Sequence, residues 1–312
     1  MSLEDGAKTA VNICMGVKKG EKVLIITDAV KEKIGEALFQ AAVNAKAEAM
    51  LIKMLPMTRH GEEPPKPIAE IMTHVDVIIA PTEYSLTHTQ ARKAANRADV
   101  RIATMPGITE SMLSNGGMTA DFKEVEKTIK KVYKIIKDSK KAEIKTELGT
   151  ALTMSLENRE WIADDTGICH KKGSFTNLPA GEIFVAPGEG TANGIAFIDG
   201  AFGGKIDKPV KIVVKDGFAV EIGDDNIEKM LDKRGKYGRN VAELGIGMNP
   251  NARIIGNVLE DEKVLGTVHV AFGDNSTFGG KVSCGIHLDG IIKNPTLKID
   301  DKTILDKGKL VV

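Results

Sequence analysis

The sequence predicts an α/β protein: an N-terminal parallel-sheet α/β domain over residues 1–141, then a β-rich α+β domain over residues 142–312. Three observations predict it. Strand and helix signals alternate as far as residue 140. From residue 142 onward, short strands separated by glycines take over. The chain has 312 residues, 42% hydrophobic and 28% charged, which is ordinary globular composition and long enough for about two domains of roughly 100–200 residues each.

In the first domain, Val23–Thr27 is a short apolar run after a Lys-Gly turn, and Glu32–Ala47 has helical spacing of apolar positions. Ala49–Met54 reads as the second strand, Pro67–His74 as a short helix with proline near its first turn, and Val75–Ala80 as the third strand. Thr87–Arg97 reads as helix and Val100–Thr104 as a fourth strand. This β-α-β-α alternation argues for a parallel sheet with helices on both faces. No G-x-G-x-x-G follows the first strand and no Walker A sequence occurs, so nucleotide binding has little support.

Residues 121–138 carry the strongest helix signal. Phe122, Val125, Ile129, Val132, Ile135 and Ile136 recur at three- and four-residue steps, with Asp121 as N-cap. The lysines of 123–141 fall on the other face, interleaved with Glu124 and Glu126 and without an aromatic stripe, so they read as a solvated face rather than a nucleic-acid patch. This helix is expected to close the first domain. Beyond it, LGTALTMSL, EIFVAP, GIAFIDG, VKIVVKDG, LGTVHVAFG and VSCGIHLDGII read as strands, with helix at Asp225–Lys233 and a turn near Asn240–Leu244.

The 43 basic and 43 acidic side chains cancel, which gives no global attraction to nucleic acid or an acidic membrane surface. Cys14, Cys169 and Cys284 are widely spaced, without CxxC, so neither a disulfide framework nor a cysteine zinc site is expected. No apolar run approaches the ~18 residues that span a bilayer. The N-terminus has acidic residues and no apolar core of a signal peptide, so a cytoplasmic location is expected.

The chemistry concentrates in two strands near the C-terminus. In Val264–Gly273, Thr267, His269 and Ala271 alternate with Val268, Val270 and Phe272. In the second, Ser283, Gly285, His287 and Asp289 alternate with Val282, Cys284, Ile286 and Leu288. Period-two alternation sends one set to the core and the other to a polar face. His287 and Asp289 then project together, roughly 7 Å apart at the backbone. If DNSTFGGK is a hairpin loop centred near 277–278, His269 lies almost opposite His287, with Cβ atoms about 4.5–5.5 Å apart. Gly266, Gly273, Gly285 and Gly290 permit close approach around the site.

Two imidazoles and a carboxylate suit Zn, Mn, Co, Ni or Fe(II). His-x-Asp alone is a weak motif, and a lone strand histidine is more often structural than a ligand; two such histidines on one small-residue face, in a chain with 6 histidines, weigh toward a metal. Glu182, in the Pro-Ala-Gly turn of NLPAGEIFVAP, and Glu243, where a helix is expected to stop at Gly245, can each present a carboxylate, although each alone reads as a solvated glutamate. Glu260-Asp261-Glu262 reads as mainly exposed, with a supporting role behind the ligands as the alternative. His60, His74 and His88 have no ligand partner at useful spacing, His170 beside Cys169 reads as a packed loop pair, and Trp161 as core.

The strings NLPAGEIFVAP, AELGIGMNPNARIIGNVLEDEKVLGTVHVAFGDN and SCGIHLDGII resemble the thermophilic aminopeptidases of the aminopeptidase T, aminopeptidase S and PepS type, the M29 metallopeptidases. SLTHTQARKAA and RIATMPGITE resemble that family's N-terminal domain. The resemblance covers most of the chain and is most specific from Asn177 to Ile292. It implies a homodimeric metalloaminopeptidase, a hydrolase that removes N-terminal residues from peptides with a water activated by two divalent ions (Co, Zn or Mn). The ligands it implies are Glu182, Glu243, His269, His287 and Asp289, with Glu243 also as general base. The tyrosine ligand of that family is absent; Asp274 occupies its neighbourhood, and the connection from His269 to His287 is abbreviated. A branch of the same fold resembles the dihydroxypyridine dioxygenases, which use one Fe(II) held by two histidines and an aspartate. That is the alternative reading of His269, His287 and Asp289.

Overall fold

The inner strands of the first sheet are buried along nearly their whole length, as parallel strands covered on both faces are. The computed structural model describes residues 1–312 and divides them into two units. The first contains Met1–Glu126 and Asp165–Ala180. Its five-stranded sheet has the order β2-β1-β3-β4-β7, all parallel. These strands are β1 (Lys22–Asp28), β2 (Glu48–Met54), β3 (Val77–Ala80), β4 (Arg101–Thr104) and β7 (Phe175–Asn177). Val23, Leu24, Ile25 and Ile26 of the central β1 are wholly buried. The helices are α1 (Leu3–Lys8), continued by a π-helical turn at Thr9–Cys14, α2 (Glu32–Asn44), α3 (Lys66–Ile71), α4 (Gln90–Arg97) and α5 (Glu110–Ser114). The sequence reading located β1 to β4 and α2 to α4 and passed over α1, α5 and β7.

The unit boundary differs from the break expected after residue 141. It falls within α6 (Phe122–Ile136), and the segment Asp165–Ala180 returns to the first unit, where β7 pairs with β4. Three residues of strand are too few to show a period, so this return leaves no sequence signal. Helix α6 has the expected cap, with Asp121 Oδ1 accepting from the amide of Lys123 at 3.0 Å. Phe122, Val125, Ile129, Val132 and Ile136 form its buried stripe.

The second unit contains Lys127–Asp164 and Gly181–Val312. One antiparallel sheet has the order β11-β10-β9-β6-β5-β15-β16-β17. Its strands are β5 (Lys141–Lys145), β6 (Ala151–Ser155), β9 (Asn193–Ile198), β10 (Val210–Lys215), β11 (Phe218–Ile222), β15 (Thr296–Ile299), β16 (Lys302–Asp306) and β17 (Lys309–Leu310). The other antiparallel sheet, β14-β13-β12-β8, comprises β8 (Glu182–Val185), β12 (Val241–Gly247), β13 (Val268–Gly273) and β14 (His287–Ile292). Helices α7 (Asp225–Asp232) and α8 (Val258–Asp261) complete the unit. No helix is long and apolar enough to cross a membrane.

The four-stranded sheet has two chemically distinct faces. Ile183, Val185, Leu244, Ile246, Val268, Val270, Phe272 and Ile292 are buried on one. This face meets the larger sheet closely: a Cβ at Gly290 would lie 2.8 Å from Ile198 Cδ1, so glycine makes room for that side chain. The other face carries the candidate ligands. Residues 241–247 form a strand, not the helix end expected near Gly245. β12 lies between β8 and β13 and is buried along its whole length, which removes the clean alternation that would mark a half-exposed strand.

Candidate metal centre

Strand register gathers the polar residues. β13 pairs with β14 as His269↔Ile291, Ala271↔Asp289 and Gly273↔His287. The expected pairing of His269 with His287 is therefore wrong, because the hairpin turns later. Residues 280–286 form no strand although their burial still alternates; Gly285 takes φ +73° and β14 begins only at His287. The partner of His269 moves by an even number of residues, and an even slip preserves the face. His269, His287 and Asp289 still share one side of the sheet. β12 places Glu243 beside Ala271 and Gly245 beside His269, and β8 places Glu182 beside Gly247.

Gly245 lets the imidazole of His269 cross β12. A Cβ there would lie 1.9 Å from His269 Nε2, so the ring occupies the space of the missing side chain. It reaches carboxylates on either side: Nε2 is 3.1 Å from Glu243 Oε1 and 3.2 Å from Glu182 Oε2. His287 Nε2 is 3.3 Å from Glu243 Oε2 and 3.4 Å from Asp289 Oδ1. Glu243 thus joins the two imidazoles through its two oxygens. Two overlapping groups result, Glu182/Glu262/His269 and Glu243/His287/Asp289, with ligand atoms in each within 4.8 Å of one another. His269 has no exposure, Glu182, Glu243 and Asp289 have 6–8%, and the His287 side chain has 31%, so the cluster opens toward solvent at His287.

The tautomer of His287 follows from its contacts. Nδ1 lies 2.7 Å from the carbonyl oxygen of Asp274, and a carbonyl only accepts, so Nδ1 carries a proton. In the neutral ring Nε2 then points a lone pair at two carboxylate oxygens. That contact is attractive only with a proton or a metal ion between them. His269 poses the same problem: one Nε2 proton cannot serve both glutamates, and Glu182 Oε2 and Asp289 Oδ1 are buried without a hydrogen-bond partner.

The electrostatics agree. Burial opposes a charge on either imidazole, yet Glu182 and Glu243 hold His269 well above the ordinary histidine range, and Asp289 and Glu243 do the same for His287. Burial likewise opposes ionisation of Glu243, but hydrogen bonds from the two histidines outweigh it and hold its carboxyl at about 2. Burial pushes Glu262 up to about 8 despite the lowering effect of Lys263.

Two members of the cluster were not expected as ligands or their direct partners. Glu262 belongs to the first group, and Lys263 lies beside it, its side chain 1% exposed with Nζ 2.5 Å from Glu182 Oε1 and 2.7 Å from Glu262 Oε1. The acidic run expected to be exposed is instead sunk into the fold. Glu260 and Asp261 have 0% and 1% exposure. Asp261 Oδ1 accepts from the amide of Ile255 at 2.7 Å, and Glu260 Oε1 accepts from that of Arg253 at 3.0 Å. Backbone amides of 253–256 thus bury these carboxylates, and a residue string does not show that contact. Burial also raises the carboxyl of Asp261 to about 6.

Asp274 does not stand in for the missing tyrosine. Its carboxylate accepts from Ser276 Oγ at 2.8 Å and from the amide of Cys284 at 2.9 Å. It shapes the 274–286 loop, and its carbonyl orients His287. The loop is tied down by Glu189, which pairs with Arg159 and accepts from the amide of Lys281 at 2.7 Å. Phe278 from this loop stands edge-on to His287 at 5.7 Å and to Phe184 at 5.5 Å, so two half-buried rings adjoin the open side of the cluster. His60 and His170 have local roles: His60 Nδ1 accepts from the amide of Ser85, and His170 Nε2 meets the carbonyl of Ile13.

Comparison with known proteins places this geometry in a family. The 2,5-dihydroxypyridine dioxygenase of Pseudomonas putida KT2440 superposes with a TM-score of 0.81 at 16% identity, covering 99% of this chain and 96% of that one. Wild-type AmpT from Thermus thermophilus superposes with a TM-score of 0.71 at 16% identity, covering 99% of each chain. At such identities both show a shared fold, so the aminopeptidase resemblance stands at the level of fold. No curated protein sequence matches. The family model described as 2,5-dihydroxypyridine 5,6-dioxygenase (NicX) matches residues 5–312, and the chain therefore belongs to the 2,5-dihydroxypyridine 5,6-dioxygenase family.

Proposed function

We propose that this protein is an iron-dependent ring-opening dioxygenase acting on a dihydroxylated aromatic ring of the 2,5-dihydroxypyridine class. The observation that carries the metal dependence is the orientation of His287: its Nδ1 is held by the Asp274 carbonyl, and its Nε2 faces the carboxylates of Glu243 and Asp289, a contact that a proton or a metal ion must bridge. Family membership carries the reaction class.

Glu243, His287 and Asp289 would hold the ion, and His269 lies against Glu243. Bound there, Fe(II) supplies a redox-active position for oxygen and for a ring hydroxyl, which open-sited His/carboxylate centres do. The chain's own residues do the rest. Asp274 fixes the ring plane and tautomer of His287. Gly245 sets the depth of His269. Phe278, edge-on to the exposed His287 and nearly perpendicular to Phe184, offers an apolar surface beside the open side of the cluster, suited to an aromatic substrate. Glu243, ionised throughout the neutral range and engaged at both oxygens, fits a ligand better than the general base expected from sequence.

A hydrolytic reading draws on one observation, the second His/carboxylate group around Glu182, Glu262 and His269. The two readings separate in one comparison. Protein reconstituted anaerobically with Fe(II) consumes oxygen on addition of 2,5-dihydroxypyridine and leaves an aminoacyl-anilide intact. Anilide hydrolysis without oxygen consumption would replace the proposal with the aminopeptidase.

A further inference from the structure

We propose that Glu189 and Arg159 are positioning residues for the aromatic substrate: from outside the 274–286 loop they hold Phe278 at the open side of the cluster, beside His287. This role rests on the ring-binding reading above and adds to it the residues that fix the ring-binding surface. All of them belong to the second unit.

Phe278 stands on a stem that does not hold a position by itself. Gly279 and Gly280 follow it, and Gly279 takes φ +102°. Glycine has more backbone freedom to lose than any other residue, so a ring beside a Gly-Gly pair keeps one place only where other groups fix the backbone. Two devices do so. The first is internal to the loop. Asn275, fully buried, accepts at its carbonyl from the amides of Phe278 at 3.3 Å and Gly280 at 3.0 Å, and its Oδ1 accepts from the amide of Val282 at 2.9 Å. A Cβ at Gly280 would lie 1.9 Å from Asn275 Cγ, so glycine lets the loop close around this side chain. The loop is therefore a preformed body.

The second device ties that body to the rest of the unit. Glu189 and Arg159 form an ion pair with side-chain exposures of 22% and 12%, and each also grips the loop. Arg159 Nη1 donates to the carbonyl of Gly279 at 2.7 Å. Glu189 Oε1 accepts from the amide of Lys281 at 2.7 Å and from Asn275 Nδ2 at 3.3 Å. The pair thus brackets the two glycines that follow Phe278. Its footing is the end of β6: the amide of Arg159 donates to the Leu156 carbonyl at 3.1 Å, and that of Gly188 to the Ser155 carbonyl at 2.9 Å. Burial opposes the charge of Glu189, but its own amide, the amide of Lys281 and Arg159 outweigh it and hold the carboxyl below the ordinary range. Hydrogen bonds to ionised groups are the stronger kind. The partners of the pair are each other and the loop, not the candidate metal ligands. What it fixes for the substrate is therefore the ring of Phe278, 5.7 Å from that of His287.

The test asks whether loss of the pair acts through Phe278. Full-length protein loaded with Fe(II) under argon is titrated calorimetrically with 2,5-dihydroxypyridine, so that binding is read without turnover. Glu189→Ala and Phe278→Ala should each weaken binding roughly 2- to 10-fold, the equivalent of one lost ring contact. The double variant should bind no more weakly than Phe278→Ala alone, because changes that remove the same contact do not add. Glu189→Gln, which keeps an acceptor for the Lys281 amide, should fall between wild type and Glu189→Ala, and Arg159→Met repeats the comparison from the other side of the pair. Iron content should stay at the wild-type value in all of them. Hydrogen exchange of the metal-free protein gives a readout independent of any ligand: the Lys281 amide should exchange faster in Glu189→Ala, and the amides of β14 at the wild-type rate. Additive losses in the double variant, unchanged ring binding in Glu189→Ala despite faster exchange at Lys281, or iron lost together with the pair each overturn the proposal. A wild type that binds iron but no dihydroxylated ring removes the substrate reading itself, and the positioning role with it; that failure is told apart by appearing before any variant is made.

Discussion

Replacing Gly245 by alanine separates backbone propensity from site geometry, because the two predict opposite signs. Glycine inside a strand is less stable than alanine by roughly 0.5–1 kcal/mol, so propensity alone makes Gly245→Ala stabilising. Gly245 does not adopt a left-handed conformation, so no backbone penalty opposes the change. The site says otherwise. The new methyl carbon would sit 1.9 Å from Nε2, 2.1 Å from Cε1 and 2.7 Å from Cδ2 of His269, a fully buried ring. Either the strand is forced apart, costing about 1–3 kcal/mol as overpacking does, or the ring withdraws and abandons its charge-assisted contact with Glu243, costing about 1.5–3 kcal/mol. The expected net change in the metal-free protein is a loss of about 1–3 kcal/mol, read as a lower urea midpoint at unchanged slope. Metal affinity should fall about 10- to 100-fold, the range seen when a group orienting a ligand is lost. A midpoint equal to or above wild type, with unchanged affinity, would refute the placement of His269 over Gly245.

The other predictions rest on the same cluster. His287→Ala should abolish metal binding, measured by elemental analysis of the purified protein, since it removes the candidate ligand with a fixed tautomer. The pH dependence of metal-free stability has a defined sign. Glu243, held at about 2, contributes stability that is complete above its ordinary value near 4.5 and is lost as pH falls through about 2. His269 and His287, held above the ordinary 6.5, contribute stability that is complete below that value and is lost as pH rises through their raised values. Urea midpoints of chelator-treated protein should therefore peak between about pH 4.5 and 6.5. Because a metal must displace those protons, its affinity should rise with pH and calorimetry in two buffers should show proton release. Phe278→Ala should raise KM for the aromatic substrate roughly 2- to 10-fold, the equivalent of a lost ring contact of about 0.5–1.5 kcal/mol, while the metal content stays constant.

What was legible in the sequence is what depends on local periodicity. β1 to β4 and α6 announce themselves through apolar runs and three- and four-residue steps. His269, His287 and Asp289 were found by alternation, and they share a face despite a misplaced hairpin because the slip was even. Glu182 and Glu243 came from a family resemblance, not from their own pattern; β12, buried on both faces, was misread as a helix end. Lys263 escapes the sequence and Glu262 is weighed mainly as exposed, because an acidic run before a lysine looks solvated, and only the amides of 253–256 and the close approach at Gly247 carry it inside. Phe278 reaches His287 and Phe184 through a loop whose path is set by Asp274 and Glu189, residues that no sequence period connects with it. The return of Asp165–Ala180 to the first unit has the same cause: a three-residue strand defined by its neighbour.

Oxygen uptake bears most directly on the function proposed for this cluster. Protein loaded with Fe(II) under argon is mixed with 2,5-dihydroxypyridine and air-saturated buffer, and dissolved oxygen and ring absorbance are followed together. The expected result is loss of one oxygen molecule per ring opened, abolished by chelator and by His287→Ala. Full iron occupancy with no oxygen consumed against any dihydroxylated ring would contradict it.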